Sequence, residues 1–380
     1  MELSRAPHSE IQYFSKILGK RWKSALRKID QLRKDITKLD GQLLDLLNKR
    51  AGLSVEIGKE KALRGDPVYV PHREREILDD LKAANKGPFP NSAVEILFRE
   101  IFSASRALQE PTRVAFLGPK STFSHQAAVK HFGHSAQFDP APNIESVFSA
   151  VEQGNSDYGV VPVENSIEGT VNLTLDCFVD SPLLICGEMN LKVSHFLMSK
   201  AENISHIKTV YSHPQPFAQC RNWLNKHLPG AEQIPSSSTA SAAETVCDKQ
   251  NSAAIAGKLA AEIYGLNILA ENIQDRQENF TRFLIISKNP AQKTAKNKTS
   301  ILFSITDEAG SLLKTLQLFA RKGINLTRIQ SRPLRNQPWE YLFYIDIEGH
   351  EDEETVSKTI KTLAKRCLFL RNLGSYPQKD

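Results

Sequence analysis

Apolar residues recur at Ile29, Leu32, Ile36, Leu39, Leu43, Leu46, Leu53 and Ile57, in alternating steps of three and four with one position skipped. That is the seam of a helix that packs along its length. It predicts a helix from about 29 to 64, about 54 Å long at 1.5 Å per residue. A second helix follows Pro71. A third runs from about Asn91 to Glu110, with Asn91 or Ser92 as its N-cap, and stops before Pro111. From 112 to 287 short β-rich runs alternate with helical stretches: RVAFLG (113–118) and YGVVPVEN (158–165) read as buried strands, VYSHPQPF (210–217) as a strand end, and RFLIIS as a further strand. After a polar linker, Ser287 to Thr299, the order is strand–helix–strand–strand–helix–strand, with Gly310 opening the first of its helices and Gly323 closing it. The chain reads as multidomain: an all-helical region (26–110), an α/β region (112–287) and an α+β region (299–376).

One seam position is not apolar. Arg50 stands between Leu46 and Leu53, and Lys61 lies four residues past Ile57 on the edge of the same face. A cation on an apolar face is costly unless an anion meets it; the plain alternative is a side chain that snorkels or pairs with a structural carboxylate. Arg50 and Lys61 are about three turns apart and share a face to within about 20°. Arg33 lies about 25 Å before Arg50 along a straight helix and points about 100° away. One small ligand cannot touch both, so Arg33 either faces solvent or serves the site of a second chain. The helix is also too long for a compact domain of under 100 residues, whose radius of gyration is near ~13 Å. An intertwined dimer answers both points, although Gly41, Gly52 and Gly58, each weakening the helix by up to about 1 kcal/mol, leave a kink open. Arg73 and Glu74, near the start of the second helix, face a ligand or solvent. Ser105 and Gln109 lie one turn apart on the third, able to hold a common partner.

The segments LRKDITKLDGQLLDLLNKR and EIGKEKALRGDPVYVPHREREIL resemble the all-helical chorismate mutase family, over about 29–110. The resemblance implies that Arg33, reaching across from a partner chain, and Arg50 hold the two carboxylates of chorismate. Lys61 and Gln109 are then implied to address its ether oxygen, Glu74 to accept from the ring hydroxyl, and Arg73 and Ser105 to line the pocket. The rearrangement is unimolecular, so a site need only compact the substrate and stabilise developing charge. One departure stands out: Val70 occupies a position where the family often has aspartate, so that contact is lost or is made by backbone.

In open α/β sheets, ligands bind beyond the C-terminal ends of strands. Glu164, Asn165 and Ser166 lie at one such end; Ser212, His213 and Gln215 lie at another, with Gln219 in the following helix. SSSTASAAETV (236–246) offers Ser238 or Thr239 as a helix cap, and a helix N-terminus can equally hold an anion. Asn279, Thr281 and Arg282, in ENFTRF (278–283), converge on a strand entry, as either a capped turn or a site. His125, His131 and His134 read as scattered surface histidines rather than a metal cluster. No Walker loop, GxGxxG or catalytic-serine motif occurs. Taken together, FLGPKSTFSHQAA, VPVENSIEGTV, SHPQPFAQC and NFTRF resemble prephenate dehydratase. That family implies two α/β lobes around a cleft in which prephenate loses water and carbon dioxide to give phenylpyruvate, with no cofactor. Thr281 matches its essential hydroxyl. Glu164, Asn165, Ser212 and Gln219 match pocket residues, with Thr239 and Asn279 beside them, and Arg282 either binds a substrate carboxylate or packs behind the site. The leaving hydroxide needs a proton or a strong hydrogen bond; Thr281 is the candidate donor and Glu164 the second candidate acid.

The last region resembles the ACT domain of amino-acid-regulated enzymes. Gly310, Ser311 and Leu312, with Gln330, Ser331, Arg332 and Pro333, match its effector-binding motifs, which implies L-phenylalanine as allosteric effector. Ser311 replaces the usual alanine and Gln330 the usual glutamate, and loss of that carboxylate weakens recognition of an ammonium group. The alternative is a structural dimerisation domain.

Composition narrows the setting. The net charge of +6 on 380 residues suits an anionic substrate, though the acid-free stretch Lys16 to Lys28 leaves a nucleic-acid arm as the rival to a solvated, poorly ordered leader. No apolar run approaches the roughly 18 residues of a membrane span, and the N-terminus lacks the apolar core of a secretory signal. Five scattered cysteines without CxxC spacing suit a reducing cytoplasm. The expected protein is a cytoplasmic homodimer or larger homo-oligomer that acts on chorismate and prephenate, needs no metal, and binds neither nucleic acid nor membrane. An amino-acid sensor built from two lobes and an ACT domain is the rival of another class.

Overall fold

The structure, a computed structural model, describes residues 8–65, 68–306, 308–333 and 341–378, with side chains described from Lys28 onward. It divides into two compact units, one ending at Val68 and one starting at Tyr69.

The first unit is a single helix, α1 (His8–Arg64), continuous through Gly41, Gly52 and Gly58. It starts well before Ile29, so the basic segment expected to be a loose leader has helical backbone; its side chains before Lys28 lie outside the described residues. The predicted seam is uncovered, from 45% exposed at Ile29 to 63% at Leu46. A row of apolar side chains of this length is a face that lacks its partner.

The second unit opens with α2 (Pro71–Ala84) and α3 (Asn91–Ala107). The N-cap of α3 is Pro90, and no side chain caps it; Asn91, expected as the cap, accepts from Asn85 Nδ2 at 2.7 Å instead. The helical region is thus divided between the units, and α2 and α3 go with the α/β part. Gly133 shows how closely α3 packs there: its φ is +79°, and a Cβ would sit 2.4 Å from that of Ser103.

Lobe one holds β1 (Arg113–Leu117), α4 (Phe123–Phe132), β2 (Gln137–Ala141), α5 (Ile144–Glu152), β3 (Tyr158–Asn165), β4 (Gly169–Thr170), α6 (Asn172–Asp180) and β5 (Leu184–Lys192). Lobe two holds β6 (Phe196–Ser199), β7 (Thr209–Ser212), α7 (Pro214–Gln219), α8 (Arg221–His227), β8 (Glu232–Pro235), α9 (Thr239–Thr245), β9 (Ser252–Ala256), α10 (Lys258–Tyr264) and β10 (Asn267–Ala270), ordered β10-β6-β9-β7-β8 in its sheet. The chain then returns to lobe one as β11 (Phe280–Ser287), which enters between β3 and β5 to give β2-β1-β3-β11-β5. The two crossings between lobes run side by side: Val193 N donates to Asn279 O at 2.8 Å and Ile273 N to His195 O at 2.9 Å. In lobe one, α4 packs on one sheet face with Phe283 and Ile285. Across the sheet, α5 and α6 pack with Leu284 and Ile286.

The third part is β12 (Asn297–Ser304), α11 (Ser311–Ala320), β13 (Leu326–Pro333), β14 (Tyr341–Glu348), α12 (Glu354–Ala364) and β15 (Phe369–Pro377), in sheet order β13-β14-β12-β15. This is the predicted βαββαβ arrangement, although its first strand claims the end of the polar linker. Leu302, Leu342, Tyr344, Leu373 and Tyr376 join the α5–α6 core, so this sheet closes the second face of lobe one. At Gly374, φ is +115° and a Cβ would meet Ile185 O at 2.7 Å; only glycine allows β15 to lie so close to β5.

Candidate active sites

The two crossings carry a chain of polar side chains whose direction is fixed from one end. Asn165 Oδ1 accepts from Ile167 N at 2.9 Å and Glu168 N at 3.1 Å. Backbone N–H groups only donate, so the amide orientation is set, and Nδ2 must supply the donors. It gives one to Asn279 Oδ1 at 3.0 Å and one to Thr281 Oγ1 at 2.9 Å. Asn279 Nδ2 therefore donates to Gln219 Oε1 at 3.3 Å, which also accepts from His195 Nε2 at 2.7 Å. Burial lowers the pKa of His195 against the opposing pull of Gln219, so the ring is neutral with its proton on Nε2. The consequence falls on Thr281. Its oxygen is occupied as an acceptor by Asn165, so its own proton is directed away from Asn165 as a hydrogen-bond donor. Asn165, Gln219, Asn279 and Thr281 thus form one network, with the buried His195, which the motifs did not single out, at its far end.

Arg282 leaves this group. Adjacent strand residues point to opposite faces, and its guanidinium meets Glu188 Oε2 at 2.6 Å, Asp346 Oδ2 at 2.7 Å and the Tyr376 hydroxyl at 3.2 Å. Burial works against its charge, but Asp346 and Glu188 outweigh burial and hold it protonated more firmly than usual. Lys298 completes the cluster on Glu188 at 2.7 Å. Of the two readings of Arg282, substrate-carboxylate ligand or packing behind the site, these contacts favour packing behind the site. Arg282→Ala leaves the fully buried Asp346 carboxylate without its cation and Glu188 with Lys298 alone, and its expected cost of about 3–5 kcal/mol is measurable as a lowered Tm.

Glu164, expected as a pocket residue and second candidate acid, also points away from Thr281. The ladder shifts so that Arg282 faces Glu164 while Phe283 faces Pro162, leaving Val163 as an extra residue. This bulge turns Glu164 onto the face opposite Thr281, where Arg328 Nε meets Oε2 at 3.3 Å. Ser212 is also spent on the fold: it is fully buried and donates to Ile255 O at 2.8 Å. The cap of α9 is Ser238, which accepts from Ser241 N, and Thr239 beside it is 9% exposed.

The expected mutase residues fall in both units. On α1, Arg33 is exposed beside Asp30 at 3.7 Å, Arg50 is half-buried, and Lys61 donates to Val68 O at 3.1 Å. With Val70 in place of aspartate, a backbone carbonyl at Val68 orients the ammonium. In the second unit Arg73 is exposed and pairs with Glu76 at 3.1 Å, Ser105 is buried and Gln109 half-buried. Glu74 is held by the buried Arg106, which also donates to Phe132 O at 2.5 Å and stacks 4.7 Å over Tyr69.

In the third part, Gly310 (φ +84°) precedes Ser311 and Leu312 at the start of α11. Along β13 the side chains alternate. Gln330 accepts from Thr170 Oγ1 at 3.1 Å and Arg332 pairs with Asp176 at 2.5 Å, whereas Ser331 and Pro333 are exposed.

Of the three histidines expected on the surface, only His134 is exposed; His131 is half-buried and His125 buried. His131 bonds Tyr69 at 3.1 Å, His134 pairs with Glu100 at 2.9 Å, and His125 is buried, stacked on Phe116 and accepting from Ser121 N at 3.1 Å. Burial, aided by Lys120, lowers the His125 pKa to about 4. As the pH falls below about 6.5 the unfolded chain takes up this proton first. Stability is full above that pH and drains as the pH approaches 4, by on the order of 3 kcal/mol. His125→Gln keeps an acceptor for Ser121 and is expected to flatten the fall in Tm between pH 7 and 4.5.

A family model described as prephenate dehydratase matches residues 114–291, one described as chorismate mutase type II matches 32–110, and one described as ACT domain matches 299–365. A bifunctional chorismate mutase/prephenate dehydratase of Aquifex aeolicus (strain VF5) is 46% identical over 357 residues, spanning 93% of this chain and 99% of that one. Its counterpart in Escherichia coli (strain K12) is 34% identical over 371 residues, 92% and 96% of the two chains. The crystal structure of prephenate dehydratase in complex with L-Phe from Arthrobacter aurescens is 34% identical with a TM-score of 0.65, over 70% of this chain and 90% of that one. With all three regions matched in order and relatives aligned over nearly their whole length, the chain belongs to the family of bifunctional chorismate mutase/prephenate dehydratases.

Proposed function

We propose that this chain rearranges chorismate to prephenate and then removes water and carbon dioxide from prephenate to give phenylpyruvate, in the cytoplasm and under inhibition by L-phenylalanine. The observation that carries the second step is the oriented Thr281 hydroxyl. Asn165 takes its lone pair and leaves its proton for the departing hydroxide of prephenate; aromatisation of the ring drives the loss of carbon dioxide, so acid assistance and orientation suffice. Gln219 and Asn279 hold that orientation, and Thr239 stands by the pocket.

For the first step, the family resemblance assigns roles to Arg50 and Lys61 on α1 and to Arg73, Glu74, Ser105 and Gln109 in the second unit. Arg33 serves the site of a second chain, because α1 is one unbroken helix through the interval that separates it from Arg50. The bare seam supports this reading, and the protein is a homodimer or larger. Leu39→Asp, on the seam, is expected to yield monomers in sedimentation, with the mutase lost and the dehydratase kept. L-phenylalanine binds the ACT domain through Gly310–Leu312 and Gln330–Pro333.

The deciding experiment follows chorismate consumption and phenylpyruvate formation in one reaction, with and without L-phenylalanine. Chorismate left unchanged would sink the reading in favour of an amino-acid sensor.

A further inference from the structure

On the face of lobe one opposite Thr281, two cross-strand pairs from different sheets meet. Glu164 of β3 lies opposite Arg282 of β11, and Arg328 of β13 lies opposite Asp346 of β14. Two ion pairs join them, Arg328–Glu164 at 3.3 Å and Arg282–Asp346 at 2.7 Å. On the dehydratase side both ends are the sequence neighbours of the hydrogen-bonded Asn165 and Thr281. A third tie runs alongside: Thr170, opposite Glu164 on β4, donates to Gln330 and accepts from Arg328 at 3.4 Å. On the ACT side the anchorage is firm. Asp346 is fully buried and accepts from Ser300 Oγ at 2.5 Å, and Arg328 stacks 5.2 Å over Tyr344.

A paired strand moves as a unit, so a shift at Glu164 or Arg282 is a shift at Asn165 or Thr281. The strand that carries Arg328 also carries Gln330 of the effector motif, two residues on. We propose that this square of charges is the link through which the ACT domain sets the Asn165–Thr281 geometry, with Glu164 and Arg282 as positioning residues and Arg328 as the lever. The inference rests on the reading of Thr281 and Asn165 given above and adds the route by which their site is regulated.

The test uses the full chain carrying Glu164→Gln, Arg328→Gln, or both. Glu164 is 42% exposed, so its substitution does not threaten folding, and the mutase rate of each preparation reports intact protein. Each single variant is expected to lower dehydratase kcat about 3-fold or more, the scale on which residues of a coupling network act. KM for prephenate and the pH profile are expected to stay unchanged, and the double variant to be no slower than the worse single one. The inhibition ratio with L-phenylalanine should fall toward one, and Arg328→Lys should restore part of both effects. Two results overturn the proposal: both single variants matching wild type in kcat and in response to L-phenylalanine, or losses that multiply in the double variant with a shifted acid limb, which make Glu164 a proton donor in its own right. If the wild type ignores L-phenylalanine, the effector assignment fails, while kcat and the double variant still decide the link. If Thr281→Val stays active, the catalytic reading fails first.

Discussion

Thr281→Val is expected to lower dehydratase kcat by about two to four orders of magnitude, the usual worth of a positioned proton donor, while the mutase rate of the same preparation stays at wild type. Valine keeps the shape and the strand preference of threonine and removes only the hydroxyl. Two losses then coincide: prephenate has no donor for its departing hydroxide, and Asn165 Nδ2 loses the acceptor that it reaches at 2.9 Å. Thr281→Ser restores donor and acceptor together and should recover most of the rate. The measurement is the appearance of phenylpyruvate from supplied prephenate, beside chorismate loss as the internal control. A valine variant within tenfold of wild type means that the proton comes from elsewhere, and the orientation argument built on Asn165 collapses.

The strands that carry this site were legible because their apolar runs end in polar residues. What was not legible was which side those residues face. Simple alternation puts Glu164 in phase with Val160 and Pro162, on the α4 face, which is the Thr281 side. The extra residue at Val163 reverses that phase, and a bulge of this kind leaves no mark in VPVEN. Arg282 is a different case: the alternation rule alone separates it from Thr281, and the polar run ENFTRF and the resemblance argued for grouping them. His195 escaped notice because a lone histidine in VSHF matches none of the quoted motifs. Its signal is that it lies between two strands of different sheets, and sheet membership is a tertiary fact.

The seam of α1 was legible for the opposite reason: a spacing of three and four is a local property of a helix. Its start was not. The seam begins at Ile29, but helix propagation is cooperative and no proline lies between His8 and Arg64, so the helix extends N-terminal to the first seam position. The ACT sheet closing a face of lobe one was also invisible. SILFSI and YLFYID alternate as any half-buried strands do, and nothing in them names the surface that they cover.

Lys61→Ala is expected to lower mutase kcat by about 10²–10³-fold, equivalent to about 2.7–4 kcal/mol of transition-state stabilisation. The reason lies in where charge appears. The ether oxygen of chorismate gains negative charge only as its bond to the ring breaks, so a cation aimed there binds the transition state more tightly than the substrate. The loss should therefore fall on kcat more than on KM. Lys61 is oriented for this by a backbone carbonyl, Val68 O at 3.1 Å. Thr281 lies in the other compact unit, so dehydratase activity in the same preparation reports that the chain is folded. If Lys61→Ala lost both activities equally, the two sites would not be independent. If its mutase stayed within about threefold of wild type, the cation on the seam of α1 would be structural, and the charge that drives the rearrangement would have to be sought at Arg50.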